Sequence, residues 1–107
     1  IVTAGGKNIA PQPLENRLQT DKYISQAVVI GDRRPYLSAL IVPDFDVLRA
    51  RAAELGIDGH TPEEMIAAAS VRAAIESAIA SVGSRSARHE QIRRFALLPR
   101  ELTQEED

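Results

Sequence analysis

Residues 5–8, Gly-Gly-Lys-Asn, are the stretch whose types and spacing could do chemistry. They follow a β-branched start, Ile1-Val2-Thr3, and come shortly before Pro11 and Pro13. Paired glycines in that setting serve either a tight turn or a ligand that passes too close to the backbone for any side chain. The adjacent lysine invites comparison with a phosphate loop. That motif needs a glycine five residues before the Gly-Lys pair and Ser or Thr after it. Position 1 is Ile and position 8 is Asn, so both requirements fail.

Other familiar chemistries find little support. His60 and His89 stand far apart, the chain has no cysteine, and no metal-ligand spacing occurs. No serine lies in a nucleophile elbow of the G-x-S-x-G kind. The carboxylate pairs Glu63–Glu64 and Glu105–Glu106 are adjacent, which suits helix starts and solvated tails better than acid–base work. Arg85, Arg88, Arg93, Arg94 and Arg100 form a local basic stretch with Phe95 as the ring nearby. Without interleaved aromatics it reads as a solvated helix face and strand flank rather than a nucleic-acid surface. The net charge of −2, from 13 basic and 15 acidic side chains, adds no global attraction to nucleic acid or anionic membrane.

The elements that must position these residues fit one domain. A chain of 107 residues suffices for a single core, and 44% hydrophobic with 26% charged residues is the balance of a globular protein. No apolar run approaches the ~18 residues of a membrane span. Ile1–Ala4 reads as a strand ended by the glycines. "PLENRLQTD" reads as a helix opened by Pro11 and Pro13, with Leu14 and Leu18 one turn apart. "ISQAVVIGD" and "YLSALIVPD" read as a hairpin with a loop of about four or five residues.

Asp44 or Asp46 then caps a helix over "VLRARAAELG", ended by Gly56. Thr61, Pro62 and Glu64 form a capping box that opens the next helix. A helical pattern restarts at Ser70, with Val71, Ile75, Ile79 and Val82 on one face. "IRRFALLP" reads as a last strand. The expected core is Leu14, Leu18, Val28, Ile30, Leu40, Val42, Leu48, Leu55, Ile75, Ile79 and Phe95. The fold class is α+β: a small mixed or antiparallel sheet of N-terminal strand, central hairpin and C-terminal strand, flanked by helices. Residue 1 is Ile rather than Met and the last residues, "LTQEED", bring no closing element, so residues 1–107 are expected to be one domain of a longer protein.

The segments "IVTAGGKNIAPQPLEN", "ISQAVVIGDRRPYLSALIVPD" and "EQIRRFALLPRELTQE" together resemble the C-terminal domain of long-chain fatty acid–CoA ligases. These belong to the adenylate-forming superfamily, which also holds luciferases and peptide-synthetase adenylation domains. The resemblance covers almost the whole chain and is strongest over residues 1–44. The "TAGGKN" form of the loop carries an extra residue compared with shorter-chain relatives, which points to the long-chain subgroup.

The resemblance implies a two-step reaction in the complete enzyme. A fatty acid and ATP with Mg2+ give an acyl-adenylate and pyrophosphate, and the thiol of coenzyme A then displaces AMP. The large N-terminal adenylation domain of the same chain would be the partner, and the small domain would rotate between the two steps. Gly5 matches the glycine that faces the active site in the thioester-forming orientation, while Gly6 and Lys7 share its loop along the coenzyme A channel. No catalytic residue is carried over. The family's hinge residue would precede Ile1, and its adenylation lysine, after an "L-T-P-T-x-K" segment, would follow Asp107. A cytoplasmic location, with or without peripheral membrane attachment, goes with this resemblance, and neither nucleic acid nor a transmembrane segment is expected. Two alternatives stay open: a fatty acyl-AMP ligase, and a free-standing α+β interaction module.

Overall fold

The computed structural model describes residues 2, 9–32, 34–59, 61–84 and 91–101. The element order is α1 (Pro11–Gln19), β1 (Ile24–Ile30), β2 (Leu37–Pro43), α2 (Phe45–Ala50), α3 (Ala52–Leu55), α4 (Pro62–Ala67), α5 (Ala69–Gly83) and β3 (Ile92–Leu97). Pro11 opens α1 where a missing N–H costs nothing. β1 and β2 form the antiparallel hairpin, and β3 returns through the helices to pair parallel with β2. The sheet is therefore mixed, in the order β1-β2-β3. Of the expected N-terminal strand only Val2 is described, in a single β-bridge; the rest of Ile1–Ala4 lies outside the described residues. The hairpin connection, residues 31–36, is longer than its sequence suggests. Pro35 cannot donate to a ladder, and pairing resumes only beyond it.

The main core joins Leu14 and Leu18 of α1 to one face of the sheet and to Ile75, Ala78 and Ile79 of α5. Val28, Ile30 and Leu40, expected there from the sequence, point to the opposite face and are half-buried. Their neighbours Ala27, Val29, Ala39 and Ile41 take the core positions. Both strands are apolar on both faces, so alternation alone does not select which face is covered. The small Ala27 and Ala39 permit helices to approach closely, and that settles the phase. Val42 and Leu48 are buried as expected, whereas Leu55 and Phe95 are half-buried at the margins of the two clusters.

A second cluster gathers Leu48, Ile57, Met65 and Val71. It explains two departures from the helices expected. The segment after Asp44 divides at Arg51 into α2 and α3 instead of running as one helix. Asp44 caps α2 through Val47 N–H, and α3 closes with Gly56 at φ 66°, Ile57 N–H bonding Ala52 O at 3.0 Å. That pairing is a Schellman ending, and Ile57 packs where Ala52 also packs. Farther on, Ala68 is extended (ψ 131°) between α4 and α5, so α5 starts at Ala69, one residue before the position expected. At about 100° per residue, Met65 and Val71 on one continuous helix would point about 120° apart. Breaking at Ala68 lets both enter the same cluster, despite the helix preference of alanine.

Polar groups close the remaining ends. The capping box of α4 forms as predicted: Glu64 N–H donates to Thr61 Oγ1 at 3.2 Å and Thr61 N–H donates to Glu64 Oε1 at 3.2 Å. Such a cap contributes about 1 kcal/mol. The outer edge of β1 is covered by α1, because Val29 N–H donates to Glu15 Oε2 at 2.8 Å and Ala27 N–H to Gln19 Oε1 at 3.2 Å. An edge strand so occupied cannot template pairing with another chain.

Candidate functional site

Gly5, Gly6 and Lys7 lie outside the described residues, as do the neighbours that complete residues 3–8. The frame on either side of them is described. After the segment comes Ile9, 4% exposed and packed in the main core. Before it comes Val2, 46% exposed, whose N–H donates to Asp32 Oδ1 at 3.1 Å. Asp32 belongs to the hairpin connection, where Arg34 N–H bonds Gly31 O at 3.0 Å and closes a tight turn. The described neighbours of the glycine segment are thus Val2, bonded to the hairpin turn, and Ile9, buried ahead of α1.

The arginines divide by what they touch. Arg85, Arg88 and Arg33 lie outside the described residues, and Arg34, Arg93 and Arg100 are exposed. Arg94, read from the sequence as simply solvated, lies over the Tyr36 ring at 5.2 Å. Arg72 of α5 covers Phe95 at 4.6 Å, a residue the basic stretch did not include. An exposed cation over a ring contributes about 0.5–1 kcal/mol. These two arginines lie over aromatic rings at the sheet, and Tyr36 ties β3 to the hairpin connection.

Two of the clefts among the described residues lie beside acidic side chains. One, of about 380 Å3, lies at the end of β2 beside Ser25, Asp44, Asp46 and Arg100. Its carboxylates have structural work: Asp44 caps α2, and Asp46 faces Arg49 at 3.4 Å. The other, of about 610 Å3, lies between the Gly56–Gly59 turn and the junction at Ala68. Neither is lined by Val2, Ile9 or Asp32. Among the described residues no three His, Asp or Glu side chains gather where they could hold a metal ion.

Three polar residues at this end of the fold had no signal in the sequence. Glu15 and Gln19 look like ordinary exposed helix residues until β1 is placed beside them. Asp32 looks like an ordinary turn residue, since turns favour Asp for its local hydrogen bonding. Its partner lies 30 positions away, which no local pattern reveals.

Solved structures with this architecture include adenylation domains. That of a carboxylate reductase from Mycobacterium chelonae superposes with a TM-score of 0.70 at 23% identity, over 99% of this chain and 15% of that one. The adenylation domain of carboxylic acid reductase from Segniliparus rugosus, in complex with AMP and a co-purified carboxylic acid, gives 0.68 at 22% identity over 99% and 15%. At such identity the likeness is one of fold.

The sequence carries the relationship further. The family model of the AMP-binding enzyme C-terminal domain matches residues 1–106, and the chain belongs to that family. The long-chain-fatty-acid–CoA ligase FadD15 of Mycobacterium tuberculosis is 36% identical over 108 residues, covering 98% of this chain and 18% of its own length. The human long-chain-fatty-acid–CoA ligase ACSBG1 is 34% identical over 121 residues, covering 96% and 17%. The chain therefore spans less than a fifth of the length of these curated relatives.

Proposed function

We propose that the chain works as the C-terminal domain of an ATP-dependent long-chain fatty acid–CoA ligase. The observation that carries this reading is the match to the family over residues 1–106, together with long-chain ligase relatives that align with 98% of the chain. In the first step a fatty acid carboxylate displaces pyrophosphate from ATP and becomes an acyl-adenylate. In the second, the thiol of coenzyme A attacks the activated carbonyl and AMP leaves. The N-terminal adenylation domain of the same enzyme supplies the fatty acid and nucleotide sites, and holds the Mg2+ that accompanies ATP.

In this reading the small domain contributes its glycine segment to the second step. Pantetheine is a slender chain that has to thread between two protein surfaces. A Cβ at Gly5 would occupy that channel, while glycine lets backbone amides lie against the ligand. Gly6 and Lys7 extend the same wall. No described helix is long and apolar enough to cross a membrane. The reading places the enzyme in the cytoplasm, with or without peripheral attachment to a membrane.

Positioning and electrostatic stabilisation dominate adenylation, and one wall of a site supplies neither alone. The isolated domain is therefore expected to release no pyrophosphate from ATP with a long-chain fatty acid, whereas the complete enzyme does. Fatty-acid-dependent pyrophosphate release by the purified domain would overturn this assignment.

A further inference from the structure

We propose that the junction at Ala68 is a conformational switch, at which α4 and α5 fuse into one helix over residues 62–83 when the second cluster opens. The break has no local cause. No glycine or proline lies between Pro62 and Gly83, and residues 67–69 are three alanines, the strongest helix formers. Ala68 is nevertheless extended, with ψ 131°, and no side chain caps the start of α5. The start of α4, by contrast, carries both a capping box and Pro62. Packing maintains the break, because Met65 and Val71 share the second cluster.

The two helices are held unequally. Ile75, Ala78 and Ile79 fix α5 in the main core, whereas Met65 is the buried residue of α4. The second cluster that receives Met65 is small, with Leu48, Ile57 and Val71 as its other buried members. A cleft of about 610 Å3 borders residues 67–70, so open space lies against the junction. Fusion keeps α5 in place and turns Met65 out of the cluster, uncovering Leu48 and Ile57. In exchange, the N–H groups of residues 69–71, which have no carbonyl to meet within α5, bond to the carbonyls of residues 65–67. Plain local unfolding also uncovers Met65, but it protects no amide. Fusion does both.

The test reads two quantities in the full-length protein: oxidation of Met65 by hydrogen peroxide, followed on its peptide, and deuterium uptake at residues 69–71. Met65 is 1% exposed, so its oxidation reports opening of the cluster. Leu48→Ala, which removes a fully buried partner, should speed oxidation by at least about 30-fold and slow the uptake. Ala69→Pro then separates the two forms. Proline suits the broken form, because Ala69 is exposed, opens α5 and follows an extended residue. In the fused helix it would be interior, which disfavours that form on the order of 100-fold. Added to Leu48→Ala, it should slow oxidation again by at least about tenfold and restore uptake at residues 70 and 71. The same proline in the otherwise unaltered chain should slow Met65 oxidation by at least about tenfold, an arm that does not depend on how well Leu48→Ala folds. Uptake that never slows in a folded Leu48→Ala variant would overturn the proposal. So would a proline effect below about fivefold, the most that restricting the unfolded chain supplies.

Discussion

Gly5→Leu in the complete ligase is expected to separate the two half-reactions. Coenzyme A-dependent thioester formation should fall by at least about 100-fold, because a misplacement of about 1 Å already costs that much and a leucine side chain displaces the thiol farther. Adenylate formation, followed by ATP–pyrophosphate exchange, should survive, because in the reading above Gly5 faces the active site only during the second step. The competing role for the glycine pair makes a different forecast. If Gly5 serves only a turn that requires positive φ, leucine strains the backbone and destabilises the whole domain. Both steps and the melting point then decline together. Measuring exchange, thioester formation and melting on the one variant decides between these roles.

The second large effect concerns the core. Leu18 is fully buried in α1, against the sheet and α5. Leu18→Ala should cost about 2–5 kcal/mol, from lost burial and the cavity left behind. For a domain of this size that lowers the melting midpoint by roughly 10–30 °C. Leu40→Ala, on the half-buried opposite face, should cost about 1 kcal/mol. The isolated domain is expected to unfold in a single transition, so thermal melting of both variants reads the contrast directly. Equal costs would mean that the two faces of the sheet are covered alike, contrary to the packing seen.

Much of this architecture was legible because its signals are local. Pro11, Asp44, Gly56 and the Thr61–Glu64 box each act within one turn of the residue that needs them, and all four behave as their types predict. Leu14 with Leu18, and Val71 with Ile75 and Ile79, show their buried faces through helical spacing. The errors came where a distant partner decides. Val28 and Leu40 are larger than Ala27 and Ala39, yet the helices packed on the sheet select the smaller pair. The break at Ala68 opposes local propensity because Met65 and Val71 share one cluster. Asp32 meets its partner only when Val2 is brought beside the hairpin turn. The glycine segment is a different case. Its two glycines alone allowed a turn or a ligand wall, and family likeness is what favours the wall.

As proposed, this domain serves a ligase whose second substrate is coenzyme A. The most direct measurement is AMP release by the complete enzyme with a long-chain fatty acid and ATP, with and without coenzyme A, alongside the amount of acyl thioester formed. AMP release that rises on adding coenzyme A, matched mole for mole by acyl-CoA, is the result predicted. Pyrophosphate and acyl-adenylate that accumulate with no response to coenzyme A would contradict it, and would place the domain in an acyl-AMP ligase instead.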